Sequence, residues 1–336
     1  MQVCAIQDAF GIDALKFSER PSPPLGHGQV RVGVKAVSLN YRDLMTVKHG
    51  GARGIRLPLI PCSDGAGEVI EVGPGVTRVQ PGARVAGIFL QSWLAGEMTA
   101  AHGHSALGGA IDGMLAEQVV LHEDGLVHVP EHMSYEDAST LPCAAVTAWQ
   151  GLVTKGGLKA GDTVLVQGTG GVSIFALQFA VMTGARVILT SSSDEKLARA
   201  KQLGVWQGIN YKTTPNWDER ALELTGGAGV NHVVEVGGAG TLEQSFRAAR
   251  IGGTISLIGV LTGFTGKIDP LPVLIKSLRM QGIYVGSREM FEAMNRAMVQ
   301  HKARPVIDRV FPFAQSREAL TYMESAAHFG KIVIAL

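Results

Sequence analysis

The feature that most constrains this chain is a short apolar run that leads directly into a cluster of glycines. Thr163–Gln167 has the character of a buried strand, and an apolar helix is predicted over Val172–Thr183, ended by Gly184. Glycines between a strand and a helix let the backbone turn tightly and approach a bound group, and the helix N-terminus offers free N–H groups to an anion. The pattern predicts a dinucleotide pyrophosphate site. The predicted turn residues are Gly168, Thr169, Gly170, Gly171 and Val172.

The surroundings of this turn favour a parallel sheet. No Gly-Lys-Ser or Gly-Lys-Thr ends the glycine cluster, which excludes a P-loop. From about residue 126 strands alternate with helices, such as Glu195–Leu203, opened by a capping box of Ser192 and Glu195, and Leu242–Arg250. The alternation predicts an α/β fold with a doubly wound parallel sheet of the Rossmann type. Candidate strands are Thr163–Gln167, Arg186–Thr190, His232–Val236, Thr254–Gly259 and Gly282–Val285.

Residues 1–125 follow a different pattern, with short alternating strands and glycine turns. Candidate strands are Gln29–Val37, Gly67–Gly73 and Ala83–Phe89, which predict a β-barrel-like lobe, and residues 91–113 look like a long loop. After Ser287, a helix over Glu289–Gln300 and a strand over Gly330–Ala335 return the chain to this lobe. We therefore expect one domain over 1–125, completed by 288–336, and a dinucleotide-binding domain over 126–287.

Charge, apolar runs and cysteine content argue against several classes of protein function. A formal net charge of +1 provides no basic field for nucleic acid or anionic lipid. The N-terminal residues lack a signal-peptide pattern, and no apolar run is long enough to span a membrane. The three cysteines, Cys4, Cys62 and Cys143, are too few and too widely spaced for a disulfide framework. We expect a cytoplasmic protein that binds a small molecule, without nucleic-acid or membrane partners.

Several fragments together resemble the medium-chain dehydrogenase/reductase superfamily over essentially the whole chain. The resemblance is strongest to its zinc-lacking quinone oxidoreductase and enoyl reductase branch and to alcohol dehydrogenase-like sequences. It implies a GroES-like β-barrel catalytic domain beside the Rossmann domain. The fragments are Ser38-Leu-Asn-Tyr-Arg-Asp-Leu44, Pro61-Cys-Ser-Asp-Gly-Ala-Gly-Glu-Val-Ile-Glu-Val-Gly73, Gly75-Val-Thr-Arg-Val-Gln-Pro-Gly-Ala-Arg-Val85, Leu141-Pro-Cys-Ala-Ala-Val-Thr-Ala-Trp149 and Phe329-Gly-Lys-Ile-Val-Ile334.

The resemblance also implies where a catalytic zinc would bind. Zinc members of the superfamily use a cysteine, a histidine and a second cysteine, which align with Asn40, Ser63 and Cys143. One thiolate beside an amide and a hydroxyl is a poor zinc site, so we expect no metal. His102 and His104 lie in a loop without a cysteine partner and fit polar surface better than a ligand pair. Cys143 itself fits a small buried apolar residue better than a ligand or nucleophile.

Four residues are implied to line the substrate site, at the junction between the lost metal position and the nicotinamide. Asn40 is expected to orient a substrate carbonyl or the nicotinamide carboxamide, and Tyr41 to donate a hydrogen bond or proton. Asp43 is either a catalytic organiser of neighbours such as Arg42 or part of a structural turn. Asp64 is either an acid in the substrate cleft or a buried structural partner.

The cofactor is expected to be NADP(H) rather than NAD(H). Enzymes that use NAD place an acid after the second strand, where this chain has Ser191, Ser192 and Ser193, and the hydroxyls with nearby Lys196 tolerate a 2′-phosphate. By resemblance, Tyr211, with Lys212 beside it, packs near the adenosine phosphate. Contacts with the nicotinamide half are expected from the loops Gly259–Thr262 and Val285–Arg288 and from the chain end. The residues expected there are Gly259, Val260, Val285, Gly286, Ser287 and Lys331.

The leading hypothesis is an NADPH-dependent reductase of a quinone or an α,β-unsaturated carbonyl. An alcohol dehydrogenase acting on a secondary or aromatic alcohol is the alternative among enzymes, and an NADPH-binding protein without turnover is the alternative of another class. The segment Leu278–Val285 is the expected edge strand of the parallel sheet. Because an uncovered apolar edge promotes association, we also expect a homodimer through this strand.

Overall fold

The computed structural model describes residues 1–263 and 265–336. The chain divides into two compact units: the first comprises Met1–Val146 with Val285–Leu336, and the second comprises Thr147–Tyr284. The division lies some twenty residues later than the boundary expected from the sequence pattern, because a strand at Leu126–His128 pairs with Arg84–Gly87 in the first unit.

Within the described residues, fifteen strands make up the sheets. They are β1 (Gln2–Ile6), β2 (Leu15–Glu19), β3 (Gln29–Leu39), β4 (Asp64–Val72), β5 (Arg84–Gly87), β6 (Gln118–His122), β7 (Leu126–His128), β8 (Thr163–Gln167), β9 (Arg186–Ser191), β10 (Gln207–Asn210), β11 (Val230–Glu235), β12 (Ala249–Leu257), β13 (Arg279–Gly282), β14 (Ile307–Pro312) and β15 (Lys331–Ala335).

The α-helices connect these strands. They are α1 (Tyr41–His49), α2 (Ala100–Gly103), α3 (Tyr135–Ser139), α4 (Val146–Trp149), α5 (Gly171–Thr183), α6 (Asp194–Gln202), α7 (Trp217–Leu224), α8 (Leu242–Ala248), α9 (Leu271–Ile275), α10 (Arg288–Gln300) and α11 (Ser316–Glu324). Wider π-helical turns flank α4 at Leu141–Ala145 and Gln150–Thr154.

In the first unit, the long strand β3 organises the sheet. The strand order is β14-β15-β3-β4-β5-β7, and β6 also pairs with β3. β3 alternates buried and partly exposed residues, as its sequence predicts for a half-exposed strand. The final strand β15 pairs antiparallel with the end of β3, so that Ile332 lies opposite Leu39. The strand β15 thereby lies inside the sheet of the first unit. Its first residue, Lys331, contacts Asn40 at the start of α1.

The second unit contains the predicted parallel sheet. Its strand order is β10-β9-β8-β11-β12-β13, and every pairing is parallel. The connections run outward in opposite directions from β8 and β11, which makes these two strands the switch point of the sheet. Ligands bind outside the carboxyl ends of the strands at such a point. The glycine turn that follows β8 lies at this edge.

Some predicted boundaries were wrong. The last strand of the parallel sheet is Arg279–Gly282 rather than Gly282–Val285, since Val285 has a φ of 47°, a left-handed conformation outside the strand region. The helix predicted over Leu242–Arg250 ends at Ala248, because Ala249 already begins β12. The cap of α6 is Ser193, whose side chain accepts the N–H of Lys196, and not Ser192. Residues 91–113 include the short helix α2, and β10 and α7 were missed.

A membrane-spanning helix is absent from residues 1–263 and 265–336: none there combines the length and the apolar character that crossing a bilayer requires.

Candidate functional site

Asn40 stands at the N-terminus of α1, between the end of β3 and the first helical turn. Its backbone N–H donates to Asp43 Oδ2 at 2.8 Å, so that Asp43 closes the helix start from within. Asp43 is fully buried, and its Oδ1 accepts from Arg42 Nη1 at 3.1 Å and from the backbone N–H of Ser63 at 3.3 Å. These contacts use both carboxylate oxygens to join α1 to Ser63, the residue before β4.

Asp64, like Asp43, is a fully buried carboxylate of the first unit. Its Oδ1 accepts from Ser63 Oγ at 2.6 Å, and its Oδ2 accepts from the backbone N–H of Cys143 at 3.0 Å. Burial raises the pKa of Asp64 from 3.8 to about 6, and the nearby carboxylate of Asp43 also raises it, whereas the positive charge of Lys331 lowers it. The amide of Asn40 also favours the ionised form. Asp64 has no exposed surface, which is why burial is the largest influence on its pKa.

Lys331 brings a positive charge into the same group of residues. Its side chain is 3% exposed, and its Nζ donates to Asn40 Oδ1 and to the backbone carbonyl of Leu39, each at 2.6 Å. Burial lowers the pKa of Lys331, and the charge of Asp64 is the largest influence in the opposite direction. Asn40 Nδ2 is buried beside the Asp64 carboxylate, whose ionised form it favours, although it makes no full hydrogen bond to that group. The cluster therefore joins the Asn40 amide, the Asp64 carboxylate and the Lys331 ammonium in one buried group.

Tyr41 and Cys143 differ sharply in their surroundings. Tyr41 is 45% exposed on the first turn of α1, so its side chain is accessible. Burial and the charge of Asp64 raise the pKa of the Cys143 thiol well above its usual range. A thiol held in this way is a poor nucleophile and a poor metal ligand, because both roles need the thiolate.

The glycine turn of the second unit has the conformation that its sequence predicts. Gly168 has a φ of 70°, and its N–H donates to the carbonyl of Thr190 at 2.8 Å. A side chain added at Gly170 would meet no atom within 4 Å, so the space beside the helix N-terminus is open. Gly171 begins α5, and Gly184 ends that helix in a left-handed conformation. This geometry fits a pyrophosphate at the N-terminus of α5.

The end of β9 carries hydroxyl groups where NAD-binding chains carry an acid. Ser191 is its last residue and accepts the N–H of Tyr211 at 3.0 Å through its carbonyl, which places the two residues side by side. Ser193 caps α6 through the N–H of Lys196 at 3.3 Å. Tyr211 is 42% exposed just after β10. The structure thus brings the predicted adenosine-side residues to one edge of the sheet.

The sequence pattern did not predict a buried hydrogen-bond network around one carboxylate at the same edge of the parallel sheet. Glu235, the last residue of β11, is fully buried, and it accepts from Gln167 Nε2 at 2.7 Å and from Thr241 Oγ1 at 2.6 Å. It also accepts from Ser245 Oγ and from the N–H groups of Gly237 at 2.8 Å and Gly238 at 3.0 Å. Five donors around one carboxylate tie the ends of β8 and β11 together. A glutamate before Val-Gly-Gly at a strand end was the signal available in the sequence.

The remaining predicted cofactor residues lie in different settings. Gly259 and Val260 are partly exposed in the loop after β12, where the N–H of Gly259 donates to the carbonyl of Glu235 at 3.2 Å. Val285, Gly286 and Ser287 are buried in the first unit, and Ser287 caps α10. Lys331 also belongs to the first unit and contacts Asn40. The structure therefore gathers the predicted residues into two groups, one in each unit.

Two family models match the chain. The alcohol dehydrogenase GroES-like domain matches residues 26–131, and the zinc-binding dehydrogenase domain matches residues 171–300. A zinc-type alcohol dehydrogenase-like protein of Schizosaccharomyces pombe is 46% identical over 97% of this chain and 96% of its own length. The chain belongs to the medium-chain dehydrogenase/reductase superfamily. It is an oxidoreductase of that superfamily, with a GroES-like domain and a Rossmann-like domain, as the resemblance implied.

Solved structures agree with this membership. The chain is similar to a candidate alcohol dehydrogenase from Sinorhizobium meliloti, at 44% identity and a TM-score of 0.92, over 100% of this chain and 98% of that one. It is also similar to an NAD-dependent alcohol dehydrogenase, at 34% identity and a TM-score of 0.91, over the whole of both chains. More distant superfamily relatives are named quinone oxidoreductase-like protein and crotonyl-CoA reductase. The names of these relatives therefore refer to reactions of alcohols, quinones and enoyl compounds.

The donor set of this chain does not fit the zinc of the superfamily. Asn40 Oδ1 is engaged by Lys331, Ser63 Oγ donates to Asp64, and burial raises the pKa of the Cys143 thiol. A buried ammonium beside these positions also opposes a divalent cation. Within residues 1–263 and 265–336, no group of three histidine, cysteine, aspartate or glutamate side chains is arranged to hold a metal ion.

Proposed function

We propose that this oxidoreductase is an NADPH-dependent reductase of quinones or α,β-unsaturated carbonyl compounds that works without catalytic zinc. The observation that carries the proposal is the group around Asn40: this amide, aligned with a zinc ligand of the superfamily, instead accepts from the buried ammonium of Lys331. NADPH supplies the hydride when it is bound. The protein supplies the donor for the substrate oxygen, the position of the substrate and the exclusion of water.

The chemistry of the site favours activated acceptors. Oxidation of a simple alcohol needs a group that lowers the pKa of the hydroxyl, a task that zinc performs in metal-dependent dehydrogenases. A conjugated enone or a quinone instead delocalises the incoming negative charge onto its own oxygen, and a hydrogen-bond donor is enough to stabilise it. Asn40 Nδ2 carries two N–H groups; one faces the Asp64 carboxylate, and the other is the donor that we propose for the substrate oxygen.

We base the proposed preference for NADPH over NADH on the residues at the end of β9. The hydroxyls of Ser191, Ser192 and Ser193 with the amino group of Lys196 tolerate a 2′-phosphate, which a carboxylate at this point would repel. The open space at Gly170 and the conformation of Gly168 support a bound pyrophosphate. Related structures include one in complex with NADPH and one described as NAD-dependent, so the preference of this chain rests on its own residues.

The second candidate is an alcohol dehydrogenase. The names of the relatives at 46% and 34% identity favour it. One experiment separates the two: purified protein is assayed with NADPH against quinones, enones and enals and with NADP+ against secondary and aromatic alcohols, while its zinc content is measured. We expect NADPH oxidation with an activated acceptor, unchanged by a chelator. About one zinc per chain, lost together with alcohol oxidation on chelation, would establish the alternative.

Cofactor preference has its own test. Replacement of Lys196 with Ala should weaken NADPH binding and leave NADH binding nearly unchanged, because only NADPH carries the 2′-phosphate. Lys201→Ala is the matched control, since Lys201 lies on the last turn of α6 and its amino group donates to the carbonyl of Trp206. Tighter binding of NADH than of NADPH by the unmodified protein would refute the argument from the serine residues.

A further inference from the structure

Gln167 is the last residue of β8 and directly precedes the glycine turn. Its buried side-chain amide uses every donor and acceptor that an amide has. Nε2 donates to Glu235 Oε2 at 2.7 Å and to Ser245 Oγ at 2.9 Å. Oε1 accepts the N–H groups of Val236 and Gly237, each at 3.2 Å. One side chain therefore holds the end of β8 to the β11 loop, residues 236–241.

The β12 loop, residues 258–262, is attached to the β11 loop. The N–H and the Oγ1 of Thr262 both donate to the carbonyl of Gly237, and Oγ1 also accepts the N–H of Gly240, with all three distances 2.8 Å. A side chain added at Gly259 would come within 2.3 Å of the carbonyl oxygen of Val236, so the two loops pack backbone against backbone. A contact that holds the β11 loop therefore also holds the β12 loop.

The backbone of Gln167 is also tied to the helix that follows the glycine turn. Ser173 Oγ, in the first turn of α5, donates to the carbonyl of Gln167 at 2.7 Å. Ser191 and Tyr211 lie on the β9 and β10 side of this turn, where the adenosine half of a dinucleotide is expected. The strand order β10-β9-β8-β11-β12 places the β11 and β12 loops on the opposite side. With its pyrophosphate at α5, a dinucleotide has this opposite side for its nicotinamide half.

We propose that Gln167 and Glu235 are a pair of positioning residues: together they hold the β11 and β12 loops against the glycine turn, in the arrangement that the nicotinamide half of the cofactor binds. Both side chains are buried and act through the backbone of these loops. Loops that are already held need no ordering on binding, which strengthens the affinity for the whole dinucleotide. The adenosine half alone binds without this contribution. The inference does not depend on the substrate or on the preference between NADPH and NADH.

The test measures dissociation constants for two ligand pairs, NADPH with adenosine 2′,5′-bisphosphate and NADH with AMP. The second member of each pair lacks the nicotinamide half. Gln167→Met keeps the length of the side chain and removes its hydrogen bonds. It should weaken binding of the dinucleotide that the protein prefers by about tenfold or more and leave binding of the matching fragment nearly unchanged. Equal losses for dinucleotide and fragment, or no loss for either, would overturn the proposal.

Asn231→Leu is the matched control, because the amide of Asn231 joins the start of β8 to β11 at the opposite edge of the same sheet. Its Nδ2 donates to Asp162 Oδ1 at 2.8 Å, and its Oδ1 accepts the N–H of Thr163 at 2.9 Å. Urea unfolding should show a loss of stability in both Gln167→Met and Asn231→Leu. Only Gln167→Met should change the ratio of the dinucleotide and fragment dissociation constants. An equal change of this ratio in Asn231→Leu would reveal a general loss of strand packing and overturn the proposal.

Two further measurements test the pair itself. The double variant of Gln167→Met and Glu235→Gln should bind the dinucleotide little more weakly than the weaker single variant, because both side chains belong to one network. Losses that multiply would contradict a shared role. If Gln167→Met does not fold, hydrogen exchange in the unmodified protein without cofactor decides the question. The N–H groups of Val236, Gly237 and Gly238, which donate to the pair, should exchange slowly, and rapid exchange there until a dinucleotide is added would overturn the proposal.

Discussion

The buried carboxyl group of Asp64 should make the stability of this protein fall as the pH rises from about 4 to 7. Its pKa is about 6 in the folded chain against 3.8 as the reference value. Between these values the folded state binds more protons than the unfolded state, so the stabilising contribution is complete below pH 3.8 and is lost as the pH rises through about 6. A shift of roughly two pKa units corresponds to about 3 kcal/mol.

The assay compares the unmodified protein with Asp64→Asn by urea unfolding at a series of pH values. Lys331 and Asp43 also face Asp64, and the substitution changes hydrogen bonds to Ser63 and Cys143. Those structural effects are largely independent of pH, so only the pH-dependent part of the difference is used. The stability of the unmodified protein relative to the variant should fall by about 2–3 kcal/mol between about pH 4 and pH 7.5. A difference that stays constant across this range would refute the reasoning.

Three further predictions concern other parts of the chain. Replacement of Tyr41 with Phe should lower kcat by roughly 10- to 1000-fold with NADPH affinity nearly unchanged, if the hydroxyl donates in the transition state. A kcat equal to that of the unmodified protein would leave solvent as the proton source. Glu235→Gln should weaken binding of NADPH by about tenfold or more without weakening binding of adenosine 2′,5′-bisphosphate, since it loosens the loop after β11; the exposed Glu243→Gln is the control, and equal losses for both ligands would contradict this role. The protein should be a homodimer through β13, whose residues are all exposed at the edge of the parallel sheet, and Met280→Lys should dissociate it; a monomer mass by light scattering at micromolar concentration would count against this arrangement.

Local sequence determined much of the second unit. The strand over Thr163–Gln167, the turn at Gly168 and the helix ending at Gly184 depend on neighbours in the chain, so glycine content and apolar runs were enough to predict them. The hydroxyl residues after β9 were visible for the same reason. Predicted helix boundaries were less accurate where two neighbouring residues are both good N-caps, as Ser192 and Ser193 are before α6.

Tertiary structure decided the parts that depend on residues far apart in sequence. Nothing local to Lys331 shows that its amino group will meet Asn40, because the contact exists only once β15 pairs with β3. Likewise, the Gln167–Glu235 bond requires β8 and β11 to be neighbours, although β9 and β10 lie between them in the chain. Strand pairing creates these contacts, and burial then sets the charge behaviour of Asp64 and Lys331, since desolvation acts only on the folded chain. The sequence by itself determined which chemical groups are available and which local elements carry them, while the fold decided which groups meet and in what dielectric environment.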